Sequence, residues 1–489
     1  MGTGRSAINR SSETSGRLGI NLVFLYGGEL ASKLLALVVF GYLNRVLSKE
    51  RFGDLEFAYG LVFVLTLLMD AGLALYGSRE ASREPGRLPA LATQIAAIRI
   101  VILIGSLAIL GVTALVVEGD ATSRLLVLLA GSTLLPIPLL LNWAFESRDE
   151  MHVVAGCSLL RQVVFVAGVA LCVDSGADLV LVPVLDGLGF LTATTVQQVL
   201  LRRRAGALWA AHHLAGIGHT ARACLPLAVS AVVWALRLFF PLLALRFLAG
   251  PSETALFGIA HRLIIALHTF VWLYFINLLP SFSRLARSGD GAAFDRVSAT
   301  SLRLVGWVVV TGALAGGALA PVIFRIYSPD YPQAATLFTI MVWMLAVAFL
   351  SGHYRYCLIA FRRQQDELKA NVAGSLLSVA GCLVAGSSLT PTVAAAIFVA
   401  AESTTLIVAW LLCRISARPI AVLRPLAGPL VCGAVALAVV FPWASAYPLL
   451  AGACVVLIQA AGLLLIDPRL VPEALVLLRP RFEVQDAAG

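Results

Sequence analysis

From residue 19 to residue 466 the chain is a succession of long apolar runs joined by short polar turns. Fourteen runs lie at 19–45, 55–78, 88–117, 122–145, 152–173, 178–201, 223–249, 254–281, 299–325, 334–360, 367–387, 391–413, 425–443 and 447–466. Each has the length a helix needs to cross the hydrocarbon of a bilayer, about 20 residues. The last two are the least sharply divided, because Pro442 and Pro448 crowd a very short link. The pattern predicts an all-α polytopic membrane protein with about 14 transmembrane helices. Composition agrees, with 60% hydrophobic residues, 13% charged and a mean hydropathy of +0.91, values foreign to soluble domains.

The charges outside the runs set the orientation. With the N-terminus inside, cytoplasmic segments hold 24 of the 36 Lys and Arg residues and outer segments hold six. That bias predicts cytoplasmic N- and C-termini. The net charge of +9 is therefore mostly topological and carries no argument for nucleic-acid binding. The first run follows a basic leader, is longer than a signal-peptide core and lacks a clear A-x-A site, so it is read as retained. The eight cysteines lie in or at the ends of apolar runs without C-x-x-C spacing, as small core residues do.

No loop is long enough for an ATPase or a soluble catalytic domain, so the work is done within the membrane. Two weak repeats suggest duplication. Arg45–Ala58 matches Arg246–Ala260 at an offset of 201–202, and Phe145–Met151 matches Phe361–Leu368 at 216–217. The expected organisation is a cytoplasmic leader (1–18), a six-helix lobe (19–204), a linker (205–222), a second six-helix lobe (223–414), an added helix pair (425–466) and a cytoplasmic tail (467–489). Parallel repeats of this kind place a transporter's site at the lobe interface. Pro136 and Pro138 interrupt the fourth run, and Pro226 and Pro241 lie in the seventh, where Pro favours a kink. Gly312–Ala320 reads as a close-packing face.

Six cations stand inside the runs, away from their ends: Lys33, Arg99, Arg161, Arg237, Arg262 and Arg355. At roughly 2.5–3.5 kcal/mol each on insertion scales, they persist only when paired with acids or facing a wet cavity. Away from their ends, the runs contain four acids, Glu29, Asp70, Asp186 and Glu402. By this count the first lobe is neutral and the second carries +2, which points to a cationic pocket for an anionic cargo. Glu29 and Lys33 have the i,i+4 spacing of an ion pair. Arg237 is near mid-membrane and, in the repeat frame, within one turn of Lys33. Arg262, eight residues into its run, lines a cavity or snorkels outward. Arg99 and Arg161 have Asp70 and Asp186 as prospective partners, and Arg355 is close enough to the cytoplasmic end to snorkel. His261 and His268 read as packed or hydrogen-bonded residues. Asp149, Glu150, Asp366 and Glu367 read as membrane-edge features.

No H-E-x-x-H, Walker loop, G-x-S-x-G or Asp-x-Asp pair occurs. The chain is accordingly read as a non-enzyme without cofactor or metal.

Leu43–Ala58 (LNRVLSKERFGDLEFA), Asp70–Arg79, Asn142–Met151 (NWAFESRDEM), Ala255–Leu263 (ALFGIAHRL), Leu279–Leu285 (LPSFSRL) and Pro321–Ala334 together resemble the polysaccharide flippases of the multidrug/oligosaccharidyl-lipid/polysaccharide exporter superfamily, over roughly residues 19–413. The resemblance implies two pseudo-symmetric lobes around a central, alternately open cavity lined largely by spans 1, 2, 7 and 8. It implies a polyprenyl-diphosphate-linked oligosaccharide as cargo, turned from the inner to the outer leaflet for O-antigen, lipopolysaccharide or exopolysaccharide synthesis. Lys33, Arg237 and Arg262, with Arg99 and Arg161, are the candidate substrate-binding residues, and Glu29 and Asp70 the candidate ion-coupling residues. Membrane lipid, a polysaccharide polymerase and chain-length machinery are the prospective partners. Fourteen spans exceed the twelve common in that branch, which keeps a lipid II flippase open as an alternative. A drug/cation antiporter shares the fold but should prefer acids in its pocket. A membrane-embedded polymerase or ligase would carry a longer outer loop.

Overall fold

The computed structural model describes residues 27–28, 30–206, 209, 214–420 and 423–473. Among them it is all helix, with no strand. Helix α1 covers residues 30–46. Then come α2 (Lys49–Asp70), α3 (Leu73–Arg83), α4 (Leu88–Val116), α5 (Ala121–Ala130), α6 (Asn142–Glu146), α7 (Met151–Cys172) and α8 (Leu181–Ala205). They are followed by α9 (Ile217–Leu248), α10 (Pro251–Ser288), α11 (Gly291–Tyr327), α12 (Gln333–Ala360), α13 (Gln364–Ala385), α14 (Pro391–Ser416), α15 (Leu423–Val440) and α16 (Pro448–Ile466). Twelve helical segments among the described residues are long and apolar enough to cross a membrane. The protein is therefore a multi-pass membrane protein. The run at 19–45 is only partly described, and α15 is shorter than the twelve.

Two compact units divide the chain, one ending at Ala235 and the other beginning at Leu236, inside α9. In the first unit two spans are broken. Helix α2 starts at Ser48, whose hydroxyl accepts from the Arg51 amide, and stops at left-handed Ala71 (φ +47°) and Gly72 (φ +72°), after which α3 resumes. A side chain at Gly72 would also meet Leu227, whose Cβ is 2.4 Å from the place a Cβ would take.

The second break is the one Pro136 and Pro138 announce. The helix lapses into 3₁₀ turns at Gly131–Thr133 and Ile137–Leu139 before α6. Freed backbone groups at membrane depth need partners. Arg99 donates to the carbonyls of Ile137 and Leu140, Gln198 donates to that of Leu139, and Gln197 accepts from the Leu141 amide. By contrast α9 runs unbroken through Pro226 and Pro241.

The duplication is visible in the backbone. The α6–α7 and α12–α13 links each turn on a left-handed non-glycine residue, Asp149 (φ +57°) and Arg362 (φ +60°). Each has the same pair of hydrogen bonds: Asp149 N to Glu146 O with Glu150 N to Phe145 O, and Arg362 N to Ile359 O with Arg363 N to Leu358 O. This is the Schellman pattern of a helix C-terminus. Their offset is 213 residues, and α7 and α13, both 22 residues long, start at that same offset. The sequence register of 216–217 is displaced by about one helical turn. Matching the letters Phe, Arg and Glu follows side chains, whereas the turn is set by a backbone conformation that Asp provides in one copy and Arg in the other.

In the second unit α15 and α16 pack on α11. Ala315 clusters with Ala436, Val440, Ala451 and Val455, while Gly316 and Gly317 bring the same helix against Phe338 and Thr339 of α12. The small-residue face thus serves close packing, on both sides.

Candidate functional site

Among the described residues, eight of the intramembrane charges meet in four ion pairs, two in each unit. In the first unit Asp70 ends α2 at its break, and Arg99 Nη2 approaches it to 2.8 Å. The Arg99 side chain is 4% exposed and that of Asp70 41%. Arg99 therefore bridges the two broken spans. Glu146, at the end of α6, lies within electrostatic reach of Asp70, an acid that sequence reasoning passed over.

The second pair joins α7 to α8. Arg161 presents Nε and Nη2 to one oxygen of Asp186, at 3.3 and 3.0 Å, and its guanidinium lies over the Phe190 ring at 3.5 Å. Gly189 allows this closeness, since a Cβ there would be 2.6 Å from the Arg161 carbonyl. Asp186 is 5% exposed and Arg161 31%. The Ser32 and Ser158 hydroxyls, 3.3 Å apart, tie α1 to α7, beside half-buried Lys33 and one turn from Arg161. Glu29, the expected partner of Lys33, lies outside the described residues.

In the second unit Arg237 is 1% exposed. Its Nε is 3.0 Å from Glu402 of α14, and its Nη1 donates to Asn371 of α13 at 2.7 Å and to Thr405 at 2.9 Å. The Ser351 hydroxyl donates to the other Glu402 oxygen at 2.6 Å. Asn371 also donates to Glu367, which takes two bonds from Arg355 at 3.0 and 2.7 Å. Gly374 makes room, because a Cβ there would be 2.1 Å from Thr405 Oγ1 and 3.1 Å from Arg237 Cδ. Two arginines, two glutamates, an amide and two hydroxyls thus form one sealed network.

This network corrects the charge count. By span, Glu367 stands at the membrane edge and Arg355 is free to snorkel; in the structure Glu367 is 11% exposed and bonded to Arg355. The second unit's surplus falls from two to one. Glu367 and Asn371 are four apart on α13, and Glu402 and Thr405 three apart on α14. That spacing puts each pair on one face of its helix but does not show what the face meets. Arg262 is half-buried on α10. Its neighbour His261 is buried, hydrogen-bonded to the Leu238 carbonyl at 2.9 Å and enclosed by Phe239, Phe257 and Phe398, a packed histidine. His268 is half-buried, within electrostatic reach of Glu402.

The structure therefore divides the five candidate cations. Arg99 and Arg237 are sealed, whereas Lys33, Arg161 and Arg262 keep part of their surface open. Among the described residues no group of three or more His, Cys, Asp or Glu is placed to hold a metal ion.

A family model described as polysaccharide biosynthesis protein matches residues 18–286. Among solved structures the chain is similar to the lipid II flippase MurJ in an inward closed conformation, at 12% identity and a TM-score of 0.71, with 90% of this chain and 99% of that one covered. It is also similar to an inward-facing multidrug resistance MATE family transporter of the MOP superfamily, at 13% identity and a TM-score of 0.64, covering 82% and 97%. A MATE in complex with MaL6 aligns at 12% identity and a TM-score of 0.59, covering 82% and 94%. No curated protein matches the chain. At such identities the solved structures establish the fold alone.

Proposed function

Because the chain belongs to the polysaccharide biosynthesis protein family, we propose that it is a flippase that carries a polyprenyl-diphosphate-linked oligosaccharide from the inner to the outer leaflet of the cytoplasmic membrane by alternating access. The carrying observation is the set of partly open cations, Lys33, Arg161 and Arg262, within apolar spans of a transporter fold.

A diphosphate head with attached sugars cannot cross hydrocarbon unaided, and basic side chains replace its water. Arginine does so with a planar fork suited to phosphate oxygens. In this reading Lys33, Arg161 and Arg262 meet the diphosphate. Arg99 and Arg237, sealed in their networks, hold the polar interiors of their units. The polyprenyl tail stays in the bilayer. A negative interior potential favours outward movement of an anion by roughly 2.3 kcal/mol per charge per 100 mV. Asp70, paired with Arg99 yet 41% exposed, is the coupling candidate for a proton or sodium gradient, with Glu29 beside it in the proposal. The positive-inside bias supports cytoplasmic termini, and a polymerase and chain-length machinery would take the product.

Deleting the gene tests this reading. Lipid-linked oligosaccharide should accumulate on the cytoplasmic side and disappear on complementation. An unchanged lipid pool would refute it, and trapping of unpolymerised units on the outer side would point to a polymerase or ligase. The match to MurJ favours lipid II as a second cargo, which shares the diphosphate; accumulation of peptidoglycan precursors instead of the oligosaccharide would select it.

A further inference from the structure

Arg161 is residue 11 of the 22 in α7, so its Cα stands at the middle of a membrane span. Its side chain is nevertheless 31% exposed. A guanidinium open to hydrocarbon at that depth is disfavoured, so the direction of the opening matters. The outward stripe of α7 is Gly156, Leu159, Val163 and Ala167, each three or four residues from the next and all exposed. Arg161 is two residues from both Leu159 and Val163, about 160–200° round the helix at 100° per residue. It therefore opens on the side away from the apolar stripe.

The guanidinium is also held in one orientation. Asp186 takes Nε and Nη2 on one oxygen, Phe190 covers one face at 3.5 Å, and Gly189 fits α8 against the backbone beneath. The Nη1 end is left for another partner. A cation fixed by a buried carboxylate and a ring, with an open end at mid-membrane, has the design of an anion-binding fork. The corresponding helices of the second unit, α9, α13 and α14, hold Arg237 differently: its Nη1 is taken by Asn371 and Thr405, and the side chain is 1% exposed.

We propose that Arg161, oriented by Asp186 and Phe190, is the fork that binds the diphosphate in the first unit, beside the point charge of Lys33, taking the phosphate oxygens of a lipid-linked diphosphate. This rests on the flippase reading and names the residue that recognises the head group. Asp186 and Phe190 act as positioning residues.

The test is titration of the full-length protein in detergent with farnesyl diphosphate, farnesyl monophosphate, inorganic diphosphate and farnesol. Wild type should bind farnesyl diphosphate more tightly than any of the others. Arg161→Lys keeps the charge but loses the fork, and should weaken binding about 10-fold; Arg161→Gln with Asp186→Asn, which leaves no buried unpaired charge, should weaken it about 10–100-fold, the range for hydrogen bonds to charged groups. Farnesol should bind the variants and wild type alike. If wild type binds farnesyl diphosphate and both variants bind it equally well, the assignment of Arg161 is overturned while the flippase reading stands. If inorganic diphosphate binds wild type as tightly as the farnesyl compound, the lipid-linked source is overturned. If wild type binds no diphosphate, the reading itself falls, and the inference with it.

Discussion

Replacing Arg237 by Gln removes the counter-charge of Glu402 from a place with no access to water. The structure gives the losses: an ion pair at 3.0 Å and hydrogen bonds to Asn371 and Thr405 at 2.7 and 2.9 Å, around side chains 1% and 2% exposed. Breaking a buried pair by deleting one partner costs about 3–5 kcal/mol, chiefly from the stranded charge. Glu402→Gln should cost a similar amount, since it strands the guanidinium. Were the two effects independent, the double variant would lose about 6–10 kcal/mol on the same figures. Arg237→Met with Glu402→Leu, however, strands no charge: Asn371 Oδ1 loses its donor, while Thr405 and Ser351 each lose one bond and keep another to the Ala401 and Ala348 carbonyls. Its cost should be about 1–3 kcal/mol, the desolvation penalty of such groups. Denaturant unfolding of the purified protein in detergent, followed through its eight tryptophans, reads all three values. A single variant within about 0.5 kcal/mol of wild type, or a double variant equal to the sum, would refute the reasoning. Export by the double variant then separates support of the fold from contact with cargo, and the sealed geometry predicts that export continues.

Three further outcomes follow from particular contacts. Gly352→Ala should destabilise the second unit by roughly 1–3 kcal/mol by overpacking, since a Cβ there would be 2.0 Å from the buried Phe275 ring. Phe275→Leu in the same chain should restore part of the loss in the same unfolding assay. The exposed Asp120 carboxylate takes two bonds from Arg51 and one from the Ser123 amide, and Arg51 holds it well below the usual carboxylate range. A depressed value stabilises the folded form above the ordinary carboxylate range and is lost as pH falls through the folded value, so hydrogen exchange at the start of α5 should quicken only in strong acid; quickening at pH 6 would contradict it. Cys172 is exposed at the end of α7, on the outer side by the charge bias, whereas Cys357 and Cys413 are buried 3.4 Å apart. A membrane-impermeant maleimide should label Cys172 in intact spheroplasts and leave the other two unlabelled until unfolding.

Much of the fold was legible because membrane helices announce themselves by length and hydropathy. The run at 152–173 is α7 (Met151–Cys172), and 391–413 lies within α14 (Pro391–Ser416). Pro136 and Pro138 marked a true break because the helix there has Arg99, Gln197 and Gln198 to satisfy the freed groups. Pro226 and Pro241 gave no break, since a continuous helix loses only local bonds at each. The cations were equally legible, because few side chains are so costly at that depth. Their partners were less so. Asp70 and Asp186 stand inside apolar runs and could be paired with Arg99 and Arg161 by inspection. Glu367 could not: it precedes the apolar part of α13, and only the packing of α12 on α13 carries it to Arg355. Asn371, Thr405 and Ser351 carry no charge and leave no trace in a charge count. Nor does any letter show that Arg161 keeps an open end while Arg237 is enclosed; that difference lies in Phe190, Gly189 and Gly374.

The most direct measurement of the central claim is leaflet inversion in proteoliposomes holding the purified protein and a fluorescent polyprenyl-diphosphate-linked saccharide, read by a membrane-impermeant quencher. With protein, and with a negative interior potential where coupling requires it, the account predicts that the inner-leaflet pool becomes accessible, and that Arg161→Gln with Asp186→Asn abolishes this. A pool that stays sealed with wild-type protein, under proton, sodium and potential gradients alike, would contradict it.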